Sequence, residues 1–290
     1  MSQILIIGQG NIGTFLGIAL KNTGQTVRHY VRNPAGKASQ VMAQFNDRRK
    51  RAKIKKGSVY QYQRITDLTE LQNYDYVLVS VAHYHLRKVV QDLKPYLTEK
   101  QSLVIAGNIW QDFDWLTTAL KTPYFIAFPN FGGAIVEGKL TGWLTPKLTT
   151  GLTDNRYVSH LQAFEQLLQE ADFKPSRQSD IASWLKTHFA YNAGMLLEAA
   201  RQDGFQNMRG NWQSIRNMYR LIREFMGLAQ KLGTPVQEFP EGKLAFQPIW
   251  WNTFKTFLIF LLPGIAKSAD ANKDLEDWES YANTMQKDSH

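Results

Sequence analysis

Three glycines are spaced to bring main chain against a phosphate. Gly8, Gly10 and Gly13 stand in Gly-x-Gly-x-x-Gly order directly after the aliphatic run Ile4-Leu5-Ile6-Ile7, with Gln9, Asn11 and Ile12 between them. An uninterrupted aliphatic run suits a strand buried on both faces. After Gly13 the apolar residues Phe15, Leu16, Ala19 and Leu20 recur at helical spacing. In such a strand-turn-helix the first glycine permits the turn, the second lets the backbone approach a pyrophosphate, and the third lets helix and strand pack closely. The free N–H groups and positive dipole end of the helix then favour an anion. The six residues from Gly8 to Gly13 are therefore the candidate dinucleotide-binding turn.

A second strand is predicted over Thr26–Val31, followed by Arg32-Asn33-Pro34. An NAD site places an acid at this strand end to accept hydrogen bonds from ribose hydroxyls. The chain has Arg32 there instead. A guanidinium matches a 2′-phosphate with paired charge-assisted bonds, so the expected cofactor is NADP(H); the competing reading is a solvated surface arginine. The strand Asp75–Val81 ends at Val81 and Ala82, which are expected to touch cofactor because ligands gather beyond the carboxyl ends of parallel strands. His83 and His85 follow it, as cofactor contacts or plain loop residues; without cysteines or nearby carboxylates no metal site is expected.

Asn108 closes the strand Ser102–Ala106 and offers a carboxamide at the same rim. Proton delivery needs a further group, and Lys186, in Ser183-Trp184-Leu185-Lys186-Thr187-His188, is the candidate. An ammonium can hydrogen-bond a carbonyl, stabilise charge on its oxygen and hand over a proton. Any single lysine is equally a solvated surface charge.

The elements that must position these groups fall into two sets. A chain of 290 residues, 43% hydrophobic with eight tryptophans, has the size for two globular domains. Buried-strand patterns over 102–106 and 124–128, hairpin strands over 134–152, a helix over 157–170 and a strand near Phe173 give an α/β Rossmann domain spanning 1–177. A short helix over 35–45, a strand over 59–62 and helices over 86–97 and 112–116 complete it. From Ser179 onward the patterns are helical, over 179–201, 212–231 and 244–262, so 178–290 reads as an all-α substrate and dimerisation domain. The apolar stretch Ile249–Leu262 is too short, and too interrupted by Lys255, to span a bilayer. It reads as helix core or as a homodimer interface.

The chain has no cysteine, which excludes disulfides, thiolate catalysis and cysteine-ligated metals. The sequence begins directly in the first strand, so the expected setting is cytoplasmic, with no membrane partner. Seven positive charges lie between Arg48 and Lys56, and +9 less these seven leaves +2 for the rest. A local excess of this kind reads first as a solvated loop or exposed hairpin, next as electrostatic steering of an anionic cofactor or substrate, and last as a nucleic-acid contact; no nucleic-acid partner is expected.

The Gly8–Gly13 turn with Arg32, the Asp75–Val81 strand, the corner Phe128-Pro129-Asn130-Phe131-Gly132-Gly133 and the Trp184-x-Lys186 helix start, in that order, resemble the ketopantoate reductase family. The resemblance implies an NADPH-dependent reductase with a Rossmann domain and a helical domain of the 6-phosphogluconate dehydrogenase-like type. It implies that Lys186 is the catalytic lysine and that Asn108 is catalytic and contacts the cofactor. Elsewhere the chain departs from the family pattern. The family's lysine after the Asp75 strand falls on Ala82, and its helical asparagines fall on Ala190 and Gly194; His188 and Asn192, nearby but out of phase, are the candidate substrate contacts there. Glu276 is the remaining candidate for the family's late acid. The implied reaction is reduction of a small 2-keto acid or related carbonyl compound, its identity open. The alternative is an NADP(H)-binding sensor without turnover.

Overall fold

The computed structural model describes residues 1–262, 264–270 and 273–288. Two compact units divide the chain: residues 1–107 with 112–181, and Asn108–Gln111 with the chain from Ala182 onward.

The first unit contains thirteen strands: β1 (Gln3–Ile7), β2 (Thr26–Tyr30), β3 (Gln40–Ala43), β4 (Asn46–Asp47), β5 (Val59–Gln61), β6 (Arg64–Ile65), β7 (Tyr76–Val79), β8 (Ser102–Ile105), β9 (Tyr124–Pro129), β10 (Gly132–Val136), β11 (Lys139–Leu144), β12 (Lys147–Gly151) and β13 (Lys174–Arg177). Its helices are α1 (Asn11–Lys21), α2 (His83–Leu93), α3 (Asp114–Ala119) and α4 (Val158–Glu170). The main sheet runs β13-β12-β9-β8-β7-β1-β2-β6. Its strands from β9 through β6 are parallel, and β12 joins β9 antiparallel. Ile4, Leu5 and Ile6 are fully buried at its centre, as the aliphatic run requires of a strand covered on both faces.

A second sheet, in the order β10-β11-β3-β5 with β4 on β11, departs from the sequence reading. The helix expected over 35–45 is absent, and Gln40–Ala43 is a strand instead. Val41, Ala43 and Phe45 are buried, a two-residue period that a helix cannot sustain on one face. This strand gives β11 a partner, so the β10–β11 hairpin joins the small sheet and only β12 extends the main one.

The basic run is not a plain solvated loop. Six of its seven cations are exposed, but Arg49 is fully buried. Its guanidinium is paired with Asp47 at 2.7 Å, donates to the Ala171 and Ala52 carbonyls, each at 2.8 Å, and lies over the Phe173 ring. Burial raises the Asp47 carboxyl, but the hydrogen bonds from Arg49 and from the Ile54 N–H outweigh it and hold the group below its ordinary range.

The second unit is helical: α5 (Ile181–Arg201, whose first residue belongs to the first unit), α6 (Phe205–Met208), α7 (Trp212–Lys231), α8 (Pro240–Ala245), α9 (Ile249–Leu261), α10 (Ile265–Ala269) and α11 (Leu275–Lys287). Its core gathers Phe189, Met208, Ile215, Ile222 and Met226 with Trp110 from the 108–111 segment. The single helix expected over 244–262 is two, broken before Pro248, which lacks an N–H and disfavours helical backbone in the preceding residue. Nor is α9 core. Asn252, Thr253 and Phe260 are buried, whereas Trp250, Trp251, Phe254, Leu258 and Ile259 are exposed, Trp250 to 65%. No helix among the described residues is long and apolar enough to cross a membrane.

Candidate functional site

The chain leaves β1 for β2 on one side and returns through β7 on the other, so the carboxyl ends of β1 and β7 flank the point where the strand order reverses. Such a point opens a crevice. Each glycine of the turn has its own reason to be there. Gly8 has φ +89°, a conformation that side chains strongly disfavour. A β-carbon on Gly10 would meet only the Ser80 carbonyl, at 3.9 Å, so the backbone there stays approachable. At Gly13 it would lie 2.8 Å from Ile6 Cγ2 and from Ser80 Oγ, so only glycine lets α1 sit this close to β1.

Gly8, Gln9 and Gly10 line a cavity of about 1020 Å³, together with Arg32, Lys37 and Lys88. Val81 lines it too, while Asn11, Ile12, Gly13 and Ala82 do not. The Asn11 carboxamide serves the helix start instead, donating to the Gly133 carbonyl and accepting from the Ile12 N–H. Gln9 presents a buried Nε2 with no partner among the described residues. A turn with an approachable backbone, an unspent amide donor and cations lining the same cavity fits a phosphorylated dinucleotide.

Arg32 follows β2, as expected, yet it is not without an acid. Asp92, on α2, approaches its guanidinium to 2.5 Å, and Lys88 reaches the same carboxylate at 2.9 Å from one helical turn away. Hydrogen bonds from Lys88 and Arg32 hold Asp92 below the usual carboxylate range. With Lys37 the group has three cations to one acid. Lys37, Lys88 and Asp92 went unforeseen because nothing in their local spacing marks them; only the fold brings α2 to the end of β2. His83 and His85 are on the first turn of α2 and not in a loop. Burial, and the neighbouring His85, push His83 down to about 4. His85 lines the cavity. No group of three or more metal-ligating side chains occurs among the described residues.

In the second unit Lys186 is half-buried on α5. His188 is two residues on, about 160° around the helix from it. It stacks flat on Trp184, with centroids 5.2 Å apart, and its Nδ1 lies 3.3 Å from Glu241. Burial raises Glu241, but the hydrogen bond and charge of His188 prevail and lower it. Glu241, 53 positions away, carried no sequence signal. Asn108, three residues beyond β8, belongs to this unit; its Nδ2 donates to the Tyr281 hydroxyl at 3.2 Å. Tyr281 in turn packs on Phe189 with centroids 4.5 Å apart. The Asn108 Oδ1 is buried without a hydrogen-bond partner among the described residues. Asn192 is half-buried on α5, and Glu276 is exposed in the first turn of α11, where an acid suits the positive helix end.

Residues 4–137 match the family model described as ketopantoate reductase PanE/ApbA, so the resemblance in the sequence holds for the strand, turn and sheet that build the cavity. Across nearly the whole chain the fold is that of solved reductases. A PanE/ApbA family ketopantoate reductase from Ralstonia eutropha JMP134 is 16% identical with a TM-score of 0.63, covering 99% of this chain and 98% of that one. A dimeric ketopantoate reductase from Staphylococcus aureus is 15% identical with a TM-score of 0.62, covering 99% and 100%. D-Mandelate dehydrogenase in a ternary structure with NADH and anilino(oxo)acetate is 13% identical with a TM-score of 0.66, covering 99% and 98%. No curated protein matches the sequence.

Proposed function

We propose that this ketopantoate reductase-like chain is an NADPH-dependent oxidoreductase that reduces the carbonyl of a small 2-keto acid or related compound. The observation that carries the reading is the single cavity that joins the Gly8–Gly10 turn to Arg32, Lys37 and Lys88. The turn would take the pyrophosphate, and the cations would take a 2′-phosphate, which a guanidinium fork matches better than it matches a ribose hydroxyl. NADPH, when bound, supplies the hydride.

Lys186 then has one task, at the carbonyl oxygen. Its ammonium would donate a hydrogen bond to that oxygen, hold the negative charge that develops on it, and give up a proton to yield the alcohol. The unpaired Asn108 Oδ1 is proposed as a hydrogen-bond acceptor at the reacting end. The exposed apolar face of α9 is proposed as a homodimer contact, since a contiguous patch of tryptophan, phenylalanine and leucine is what such interfaces bury. A cytoplasmic setting, with NADPH at hand, accompanies this reading.

Initial rates of NADPH and NADH oxidation against a panel of 2-keto acids test the proposal. Turnover of at least one acid with NADPH is expected. Tight NADPH binding with no turnover across the panel would favour the sensor instead, in line with Ala82, Ala190 and Gly194 at positions where the resembling family carries polar side chains. Absence of any dinucleotide binding would overturn both.

A further inference from the structure

Three side chains two residues apart, Tyr60, Tyr62 and Arg64, converge on the glycine turn from behind. Extended backbone sends alternate side chains to one face, and β5, β6 and the link between them supply that backbone. Each side chain reaches a different part of the turn. The Tyr60 hydroxyl lies 3.0 Å from Nε2 of His29, whose Nδ1 is 2.8 Å from the Gly8 carbonyl. A carbonyl only accepts, so Nδ1 carries the proton and Nε2 accepts from Tyr60. The Tyr62 hydroxyl donates at 2.9 Å to Thr14 Oγ1, which donates at 2.7 Å to the Gly10 carbonyl. Arg64 donates to Gln9 Oε1 at 3.2 Å and also to the carbonyls of Lys37 and Ala38, in the loop that follows Arg32.

Both tyrosine relays end on carbonyls, and this decides what they do. In a trans peptide the carbonyl and the next N–H point in opposite directions. Holding the Gly8 carbonyl against His29 therefore turns the Gln9 N–H the other way, and holding the Gly10 carbonyl toward Thr14 does the same for the Asn11 N–H. Linkages at glycine are the easiest to rotate, and an anion is repelled by a carbonyl oxygen as surely as it is bound by an N–H. The surroundings are shaped for the relay. His29 is fully buried, its ring and those of Tyr60 and Tyr62 pack edge to face at 5.0 to 5.8 Å, and Gly17 leaves space that a β-carbon would take from the Tyr60 hydroxyl. Burial raises both phenols above their ordinary range, so they remain donors.

We propose that Tyr60, Tyr62 and Arg64 are positioning residues for the cofactor: they lock the dinucleotide turn with its N–H groups toward the pyrophosphate and tie it to the 2′-phosphate loop. The proposal rests on the nicotinamide reading above and adds to it a role for side chains outside the glycine motif. It also gives the small sheet a function, since Tyr60 is on β5 of that sheet.

Equilibrium titration tests the frame, with NADPH as one probe and adenosine 2′-monophosphate, which has the 2′-phosphate but no pyrophosphate, as the other. Tyr60→Phe and Tyr62→Phe keep the packed rings and remove only the hydroxyls. Each should weaken NADPH about threefold to tenfold, the scale of one lost hydrogen bond, and leave the monophosphate nearly unchanged. Arg64→Met should weaken both probes. His29→Asn, whose amide can still donate to Gly8, should keep more NADPH affinity than His29→Leu; if the leucine variant does not fold, the phenylalanine pair still decides. Unchanged NADPH affinity in both phenylalanine variants, or parallel loss of both probes in them, would overturn the frame while leaving the nicotinamide reading intact. A wild type that binds neither probe would instead remove the nicotinamide reading, and the frame with it.

Discussion

Asp92 sits 2.5 Å from the Arg32 guanidinium, so a 2′-phosphate entering the cavity must share or displace a carboxylate. Arg32 is 69% exposed and has room to turn between the two. Arg32→Ala should weaken NADPH by about tenfold to a hundredfold, the scale of a lost bidentate contact of about 1.5 to 3 kcal/mol, and leave NADH nearly untouched. Asp92→Asn should act in the opposite direction and tighten NADPH. Titrating both variants with both cofactors is the check; a wild type that binds NADH and NADPH equally would end the phosphate assignment.

The parts of this site legible in the sequence are those written in local spacing. Gly8, Gly10 and Gly13 can be read off directly because strand, turn and helix are contiguous, and α7 begins and ends where the apolar period does, at Trp212 and Lys231. What stayed hidden depends on distant partners. Asp92 is 60 positions from Arg32, and the residues that back the turn run from β5 of the second sheet to β6 at the edge of the main one, with β5 paired to β3, a strand that has the composition of a weak helix. The basic run misleads for a related reason: composition cannot show that Asp47 and Phe173 bury one of its seven cations.

Lys186 is the group whose removal should separate chemistry from cofactor binding. Lys186→Ala and Lys186→Met should each lower turnover by about 10² to 10⁴ while NADPH affinity stays within a small factor, because in the proposed reaction the ammonium would act only as charge builds on the carbonyl oxygen. Steady-state rates beside a fluorescence titration of NADPH supply both readouts. Equal turnover in Lys186→Ala and wild type would move the search for the proton donor elsewhere in the second unit.

Arg49 should matter for stability and little for catalysis. Removing one partner of a buried ion pair leaves the other charge stranded, and here the carbonyls of Ala52 and Ala171 lose a donor as well. Arg49→Met should therefore cost about 3 to 5 kcal/mol of folding free energy, whereas Arg51→Met, an exposed neighbour, should cost less than about 0.5 kcal/mol. Denaturant titrations of the two variants make the comparison; equal midpoints would mean that the buried pair is not formed.

The outer face of α9 predicts the behaviour of the chain in solution. If Trp250, Phe254 and Leu258 meet a second copy, Leu258→Glu should shift the protein from dimer to monomer without changing its melting temperature when dilute. Sedimentation equilibrium at several concentrations measures this. A wild type that sediments as a monomer throughout would leave the face without its proposed partner.

His29 makes the last prediction one of pH. Burial, opposed by the hydrogen bond to Gly8 and reinforced by the charges of Arg64 and Lys21, pushes its imidazole from 6.5 down to about 4. The folded value is the depressed one, so below pH 6.5 the unfolded chain takes up a proton that the folded chain refuses, and stability falls as pH drops toward 4. At pH 4.5 the loss attributable to this residue is on the order of 2 to 3 kcal/mol relative to pH 7.5. Tyr60 and Tyr62, the other titratable groups packed on the ring, stay neutral throughout that range. His83 is depressed to a similar value and adds its own slope, so the test is a difference. His29→Asn removes the titration and keeps a donor for the Gly8 carbonyl; between pH 7.5 and 4.5 its unfolding free energy should fall by about 2 to 3 kcal/mol less than that of the wild type. Identical pH slopes for the two proteins in urea titrations would show that the imidazole is reached by solvent and that the relay behind the turn is not closed.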